Sequence, residues 1–325
     1  MVYTKIISTG SYAPNNIVTN DDLSKIVETD DQWISSRTGI RERRISLGEN
    51  TSALAAKAGL DAINNAGLTP MDIDLLIVAT TTPDMFTPST ACIVQDIIGA
   101  KKAYAFDVSA ACSGFIYALS VADKIMRAGE EVNALVIGAE TLSRIVNWND
   151  RGTCVLFGDG AGAVVLKKSE EKGIISSVLG SDGTLGRSSL TSGEFVPKNP
   201  YIENDNKEDD IYINMDGKEI FRFAVNKIPQ AVNEVLAKAE TSLDEVKLIF
   251  PHQANLRIVD AAAKKLDLPK EKFYVNLNKY GNTSAASIPL ALDEANKNGL
   301  LQQGDKLVLV GFGGGLTWGS VFLQW

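Results

Sequence analysis

One histidine, His252, stands in the whole chain, inside "FPHQANLRIV" where an apolar run meets a helical pattern. Cys112 opens a second helical pattern, "CSGFIYALSVADKIM", shortly after the run "AYAFDV", and Asn282 follows "FYVNL" in "YGNTSAAS". Cysteine, histidine and asparagine are the residue types of covalent cysteine catalysis, a nucleophile with polar partners. A thiol at a helix start meets unpaired backbone N–H groups and the positive end of the helix dipole. That placement is expected to lower its pKa from about 8.5 toward roughly 3.5 to 7.5. The other two cysteines, Cys92 within an apolar helical pattern and Cys154 within "TCVLF", read as packed thiols.

The elements that must position these residues follow from apolar periodicity, which predicts alternating helices and short buried strands. The first half reads as a helix at 52–66, the strand "DLLIVA", a helix at 89–98, the strand "AYAFDV", a helix at 112–127 and the strand "ALVIG". In the second half, a helix at 222–238 is followed by "KLIFP", a helix at 254–266, "FYVNL", a helix at 283–297 and "KLVLVG". The halves superpose with an offset of roughly 170 residues, the mark of a duplicated unit. Such alternation implies mainly parallel, doubly covered sheets, whose ligands bind beyond the carboxyl ends of strands. In that register the Asn282 turn corresponds to the Cys112 turn, and His252 ends "KLIFP". Three such side chains at equivalent strand ends exceed what packing requires. The closing "GFGGGLTWGS" adds Gly313, Gly314 and Gly315, whose unobstructed N–H groups include one, assigned to Gly314, that can serve an oxyanion together with the Cys112 N–H. Each such donor lowers an acyl-transfer barrier by about 2.7 to 4 kcal/mol.

Composition removes several alternatives. The formal net charge of -8 argues against nucleic acid as a partner. No apolar stretch is long enough to span a membrane and the start lacks the order of a secretory signal, so a cytoplasmic protein is expected. Three cysteines, with no C-x-x-C pair, suggest neither a disulfide framework nor a metal site. "FGDGAGA" lacks the glycine spacing of a dinucleotide loop and precedes a strand-like run, so it reads as a strand-to-strand turn. The acidic stretch at 199–214 reads as a mobile excursion without chemistry.

Taken in order, "AACSGF", "FGDGAGA", "PHQANLRI", "YGNTSAAS" and "FGGGLTWGS" resemble the β-ketoacyl-acyl-carrier-protein synthase III family of the thiolase superfamily, over nearly the whole chain. The resemblance implies an α/β, thiolase-like fold of duplicated halves, 1–172 and 173–325, in α-β-α-β-α layers, forming a homodimer. It implies initiation of fatty-acid synthesis: Cys112 takes an acyl group, with acetyl expected, from acyl-CoA. His252 and Asn282 then hold the thioester carbonyl of malonyl-acyl-carrier protein during decarboxylation, and no metal or cofactor takes part. Elongating relatives use two histidines and thiolases a second, later cysteine, neither of which this chain has.

The resemblance also assigns Thr29, Trp33, Arg37 and Arg151 to a coenzyme A site and Gly217, Phe221 and Asn255 to a pantetheine tunnel. Trp33 and Arg37 are spaced to share one helix face. Lys218 departs from the asparagine usual in the family, and its role stays open. Arg257, Lys264 and Lys265 form a basic stretch for an acidic carrier protein. Residues 81–90, "TTPDMFTPST", are expected to shape the primer pocket, whose preference for length and branching stays open. A cysteine hydrolase and a non-catalytic acyl-CoA-binding protein are the rival readings.

Overall fold

The computed structural model describes residues 2–201 and 208–325. Strands β1 (Tyr3–Tyr12), β2 (Leu75–Ala79), β3 (Tyr104–Val108), β4 (Asn133–Glu140) and β5 (Gly160–Ser169) form one sheet, in spatial order β1-β5-β4-β2-β3. Strand β2 runs parallel to β3 and β4, while β5 is antiparallel to β4 and β1. A second sheet contains β6 (Ile174–Ser181), β7 (Leu248–Pro251), β8 (Lys306–Gly313) and β9 (Thr317–Gln324), in order β6-β9-β8-β7. Here β7 and β8 are parallel and the other pairs antiparallel, so the second sheet repeats the order and directions of the first four strands of the first.

Apolar alternation explains how the sheets are covered. On β2, Leu75, Ile77 and Ala79 face one side, and Leu76 and Val78 the other. The main helices are α1 (Asp31–Thr38), α2 (Thr51–Asn65), α3 (Thr90–Ile98), α4 (Gly114–Ala128), α5 (Gly217–Lys238), α6 (Leu256–Lys265) and α7 (Ser287–Lys297). Phe115 and Leu119 of α4 and Ile288 and Leu292 of α7 share one buried cluster with Leu75 and Ile77 of the first sheet and Leu307 and Leu309 of the second. The two helices therefore lie between the sheets. Helices α2 and α3 cover the far face of the first sheet, and α5 and α6 that of the second, giving five layers.

Several sequence expectations are corrected. "FYVNL" does not form a full strand: Phe273 bridges Ile249, and the chain then enters a short helix, Leu277–Tyr280. The Gln253 side chain takes the place of ladder partners there, donating to Tyr274 O at 3.1 Å and accepting from Asn276 N at 3.1 Å. Helix α4 begins at Gly114, after a 3₁₀ turn at Ala111–Ser113 that contains Cys112. Cys92 is exposed, not packed, because it sits on the solvent side of α3, whereas Cys154 is buried. In "FGDGAGA" the strand already begins at Gly160, and Asp159 is buried, accepting from Ser46 N and Ser143 N. Positions 202–207 of the acidic stretch lie outside the described residues, while its flanks meet where Glu194 bridges Asp210.

Close backbone contact joins the halves. A Cβ on Gly138, in β4, would fall 2.2 Å from the carbonyl oxygen of Ala285, beside the Asn282 turn. Gly138→Ala is therefore expected to destabilise the fold by about 1 to 3 kcal/mol through overpacking. The loss should appear as a lower denaturant midpoint at unchanged slope; a midpoint equal to that of the unsubstituted chain would contradict the close approach.

Candidate active site

Both central helices start at one place between the sheets, and each start is built the same way. Ala111 (φ 45°) precedes the Cys112 turn and α4, and Ser284 (φ 48°) precedes the turn leading into α7. Positive φ in a non-glycine residue is costly and marks a tightly over-determined turn. At the first turn Ser113 Oγ donates to Ala110 O at 2.8 Å and lies 2.7 Å from Thr317 Oγ1 of β9, fastening the nucleophile's turn to the second sheet. Gly313 passes so near that a Cβ there would lie 2.6 Å from Cys112 N. Gly314 lines a cavity together with Cys112.

The three predicted polar residues are brought together: Cys112, His252 and Asn282 line one cavity of about 230 Å³ and are 8%, 2% and 7% exposed. His252 follows β7, its N–H donating to Val310 O at 2.8 Å and its ring meeting Phe312 edge-on at 5.2 Å. Its Nδ1 lies 2.7 Å from Ser287 Oγ, the first residue of α7. Ser287 Oγ also accepts from Gln253 N at 3.4 Å; when it donates its own proton to Nδ1, the neutral ring carries its proton on Nε2. Asn282 Oδ1 accepts from Ser284 N at 2.9 Å, so its Nδ2 amide is the group free to donate.

Burial dominates the titration behaviour. It pushes the His252 pKa down to about 3, so the imidazole is neutral near pH 7. It also pushes the Cys112 thiol up to about 12, with Ser284 lowering it and Glu140 raising it further. The expected lowering by the helix start is thus overturned, since desolvation of a buried thiolate outweighs it. The sulfur rests as a thiol.

Of the residues expected to meet coenzyme A, two arginines gather on one indole. The Arg37 and Arg151 guanidinium carbons sit 4.6 and 4.7 Å from the centre of the Trp33 ring, and Arg151 donates to Glu28 O at 2.8 Å. The buried Oγ1 of Thr29 has no hydrogen-bond partner among the described residues. Gly217, Phe221 and Asn255 line the cavity of the polar trio, and Asn255 also caps α6 by accepting from Arg257 N at 2.9 Å. Lys218 is exposed and does not line that cavity. Arg257, Lys264 and Lys265 are exposed on α6; Arg257 donates to Ser36 O at 2.9 Å, and Lys265 donates to Asn226 Oδ1 at 2.5 Å.

Residues missed in the sequence complete the site. A second cavity of about 410 Å³ also touches Cys112; Leu142, Ile145, Phe157, Leu190 and Ile213, from scattered segments with no shared motif, form its apolar wall, and Arg187 and Glu194 are among its polar lining. Ser287 closes the motif "YGNTSAAS", and Glu140 ends an otherwise apolar strand, so the strand-end rule was the signal for the latter.

A buried thiol thus opens onto two cavities between duplicated α/β halves. The family model for 3-oxoacyl-[acyl-carrier-protein] synthase III matches residues 106–183, and the model for its C-terminal part matches residues 236–325. The β-ketoacyl-[acyl-carrier-protein] synthase III of Clostridium novyi is 55% identical over 325 residues, covering 100% of both chains. That of Clostridium acetobutylicum is 56% identical over 321 residues, covering 99% of this chain and 98% of its own. Among solved structures, the 3-oxoacyl-[acyl-carrier-protein] synthase III of Aquifex aeolicus is 51% identical with a TM-score of 0.92, covering 99% of this chain and 100% of its own. The chain belongs to the β-ketoacyl-acyl-carrier-protein synthase III family. It is an acyltransferase, a condensing enzyme that initiates fatty-acid synthesis.

With a single histidine in the chain, one imidazole resonance reports the site. It should show no titration between about pH 5 and 8, because its folded pKa is depressed to about 3. The unfolded chain, with an ordinary pKa of about 6.5, binds the extra proton, so stability is lost as pH falls below 6.5 toward 3. An NMR inflection near pH 6.5 in the folded protein would contradict a buried neutral ring.

Proposed function

We propose that the chain transfers a short acyl group, with acetyl as the expected primer, from acyl-CoA to Cys112 and condenses it with malonyl-acyl-carrier protein. The products are 3-oxoacyl-acyl-carrier protein, CO2 and coenzyme A. The observation that carries this reading is the one cavity lined by Cys112, His252 and Asn282 together with Gly217, Phe221 and Asn255.

In the first step the Cys112 sulfur bonds to the acyl carbon and the coenzyme A carbon–sulfur bond breaks, the thiol proton ending on the departing sulfur. The oxygen of the tetrahedral intermediate sits against the N–H groups of Cys112 and Gly314. The apolar wall of the second cavity, Leu142, Ile145, Phe157, Leu190 and Ile213, then meets the acyl chain. In the second step the malonyl carbon–carbon bond breaks and CO2 leaves, producing an enolate whose oxygen accepts from His252 Nε2 and Asn282 Nδ2. Neutral donors suit this task, since a carboxylate would repel the charge. The enolate carbon attacks the acyl carbonyl, the bond from that carbon to the Cys112 sulfur breaks, and the departing thiolate takes a proton from water to return to the thiol. These steps balance without a metal or redox cofactor.

Coenzyme A enters past Trp33, whose indole can stack on adenine once a guanidinium moves aside, with Arg37 and Arg151 free to meet phosphate. The carrier protein docks on Arg257, Lys264 and Lys265 beside that entrance. A homodimer is part of this reading: Met85 and Phe86 of the primer loop are 51% and 80% exposed beside a further cavity of about 530 Å³, an apolar surface that a second copy would cover. No helix among the described residues is long and apolar enough to cross a membrane.

Cys112→Ser is expected to abolish condensation while coenzyme A affinity, measured by calorimetry, stays within about twofold. Undiminished product would refute the nucleophile. Reversing Arg257 and Lys264 to Glu should raise the KM for malonyl carrier protein at least about tenfold and leave acylation of Cys112 by acyl-CoA, followed by intact mass, nearly unchanged. Equal loss in both assays would remove the docking surface.

A further inference from the structure

Glu140 ends β4 with no exposed surface, and the condensation steps leave it without a task. Its carboxyl accepts from Thr80 Oγ1 at 3.1 Å, Thr81 N at 3.1 Å, Thr82 Oγ1 at 2.6 Å and Ser284 Oγ at 3.0 Å. Among the described residues no lysine, arginine or histidine pairs with it, and burial pushes its pKa up. A buried carboxyl with no cation is costly to keep.

The repeat shows that packing alone does not call for it. Strands β4 and β8 occupy equivalent places in their sheets, and Glu140 and Gly313 are their last residues. Each ends against the positive-φ turn of the opposite half: Gly313 against Cys112, Glu140 against Ser284. One copy leaves room for the reacting groups, and the other fills the same place with a carboxyl.

Ser284 links that carboxyl to the chemistry. Its N–H holds Asn282 Oδ1 at 2.9 Å, and it lines one cavity of about 410 Å³ together with Cys112. We propose that Glu140 is a positioning residue: it ties Thr80, Thr81 and Thr82 of the front half to Ser284 of the back half, and through Ser284 it orients Asn282 and holds the turn that faces Cys112 across their shared cavity. The proposal rests on the condensation reading above and adds a residue to that site.

The test is a double-mutant cycle on the full chain, reading the acylation rate of Cys112, condensation kcat and acyl-CoA KM. Glu140→Ala and Ser284→Ala should each lower acylation and kcat by about 10- to 100-fold, with KM within about twofold. The double variant should lose no more than the worse single one, because both act along one path. Glu140→Gln keeps a donor and an acceptor without charge and should stay within about threefold of the unsubstituted chain. Losses that multiply in the double variant, losses confined to KM, or a Gln variant as impaired as the Ala variant would overturn the proposal. Where Glu140→Ala does not fold, Ser284→Ala and Glu140→Gln decide: slow acylation in the former and near-normal acylation in the latter are both required. An unsubstituted chain that does not condense would sink the reading of function; a condensing chain whose variants are all unaffected would sink only this inference.

Discussion

Everything at the site depends on two helix starts being pressed together in the middle of the molecule. Helices α4 and α7 are covered on both sides by sheets, so their side chains belong to one dry cluster that neither half could complete alone. Removing apolar area from water on this scale is worth about 25 cal/mol per Å², and it holds in register two turns that are each strained at a positive φ. The glycines at the contact leave no slack, since a single added carbon at Gly138 or Gly313 would collide with the backbone opposite.

This burial also sets the chemistry. The same desolvation that holds His252 neutral keeps the Cys112 sulfur protonated at rest. A neutral imidazole is a proper donor to an enolate, whereas a thiol must lose its proton as it reacts. Burial therefore suits the oxygen-holding half of the reaction and opposes the sulfur half. Ser284 and Ser287, from one short segment, hold the groups around the sulfur, Ser287 Oγ meeting the His252 ring and Ser284 Oγ the Glu140 carboxyl.

Much of this was legible in the residue order, for a definite reason. Strands buried on both faces must be apolar throughout, and helices between them must show a 3.6-residue period, so the duplicated unit appeared in its spacing. The strand-end rule then selected Cys112, His252 and Asn282. What stayed hidden depended on side chains reaching across sequence. "FYVNL" has the composition of a strand, but Gln253, from another segment, takes up its hydrogen bonds. Cys112 has the local surroundings of an activated thiol, yet the sheets that enclose it come from both ends of the chain. The five apolar residues of the second cavity share no period and become neighbours only in the fold.

Trp33, with Arg37 and Arg151 both close to its ring, has a consequence for how a nucleotide would be greeted. If coenzyme A enters there, as proposed, its purine finds no vacant slot and must trade places with a cation already resting there. The net gain from that aromatic platform is the difference between two stacking partners, which is smaller than either alone. Most of the hold on the cargo must then come from further down the arm, and a spent carrier stripped of its acyl group can be let go from the purine end first.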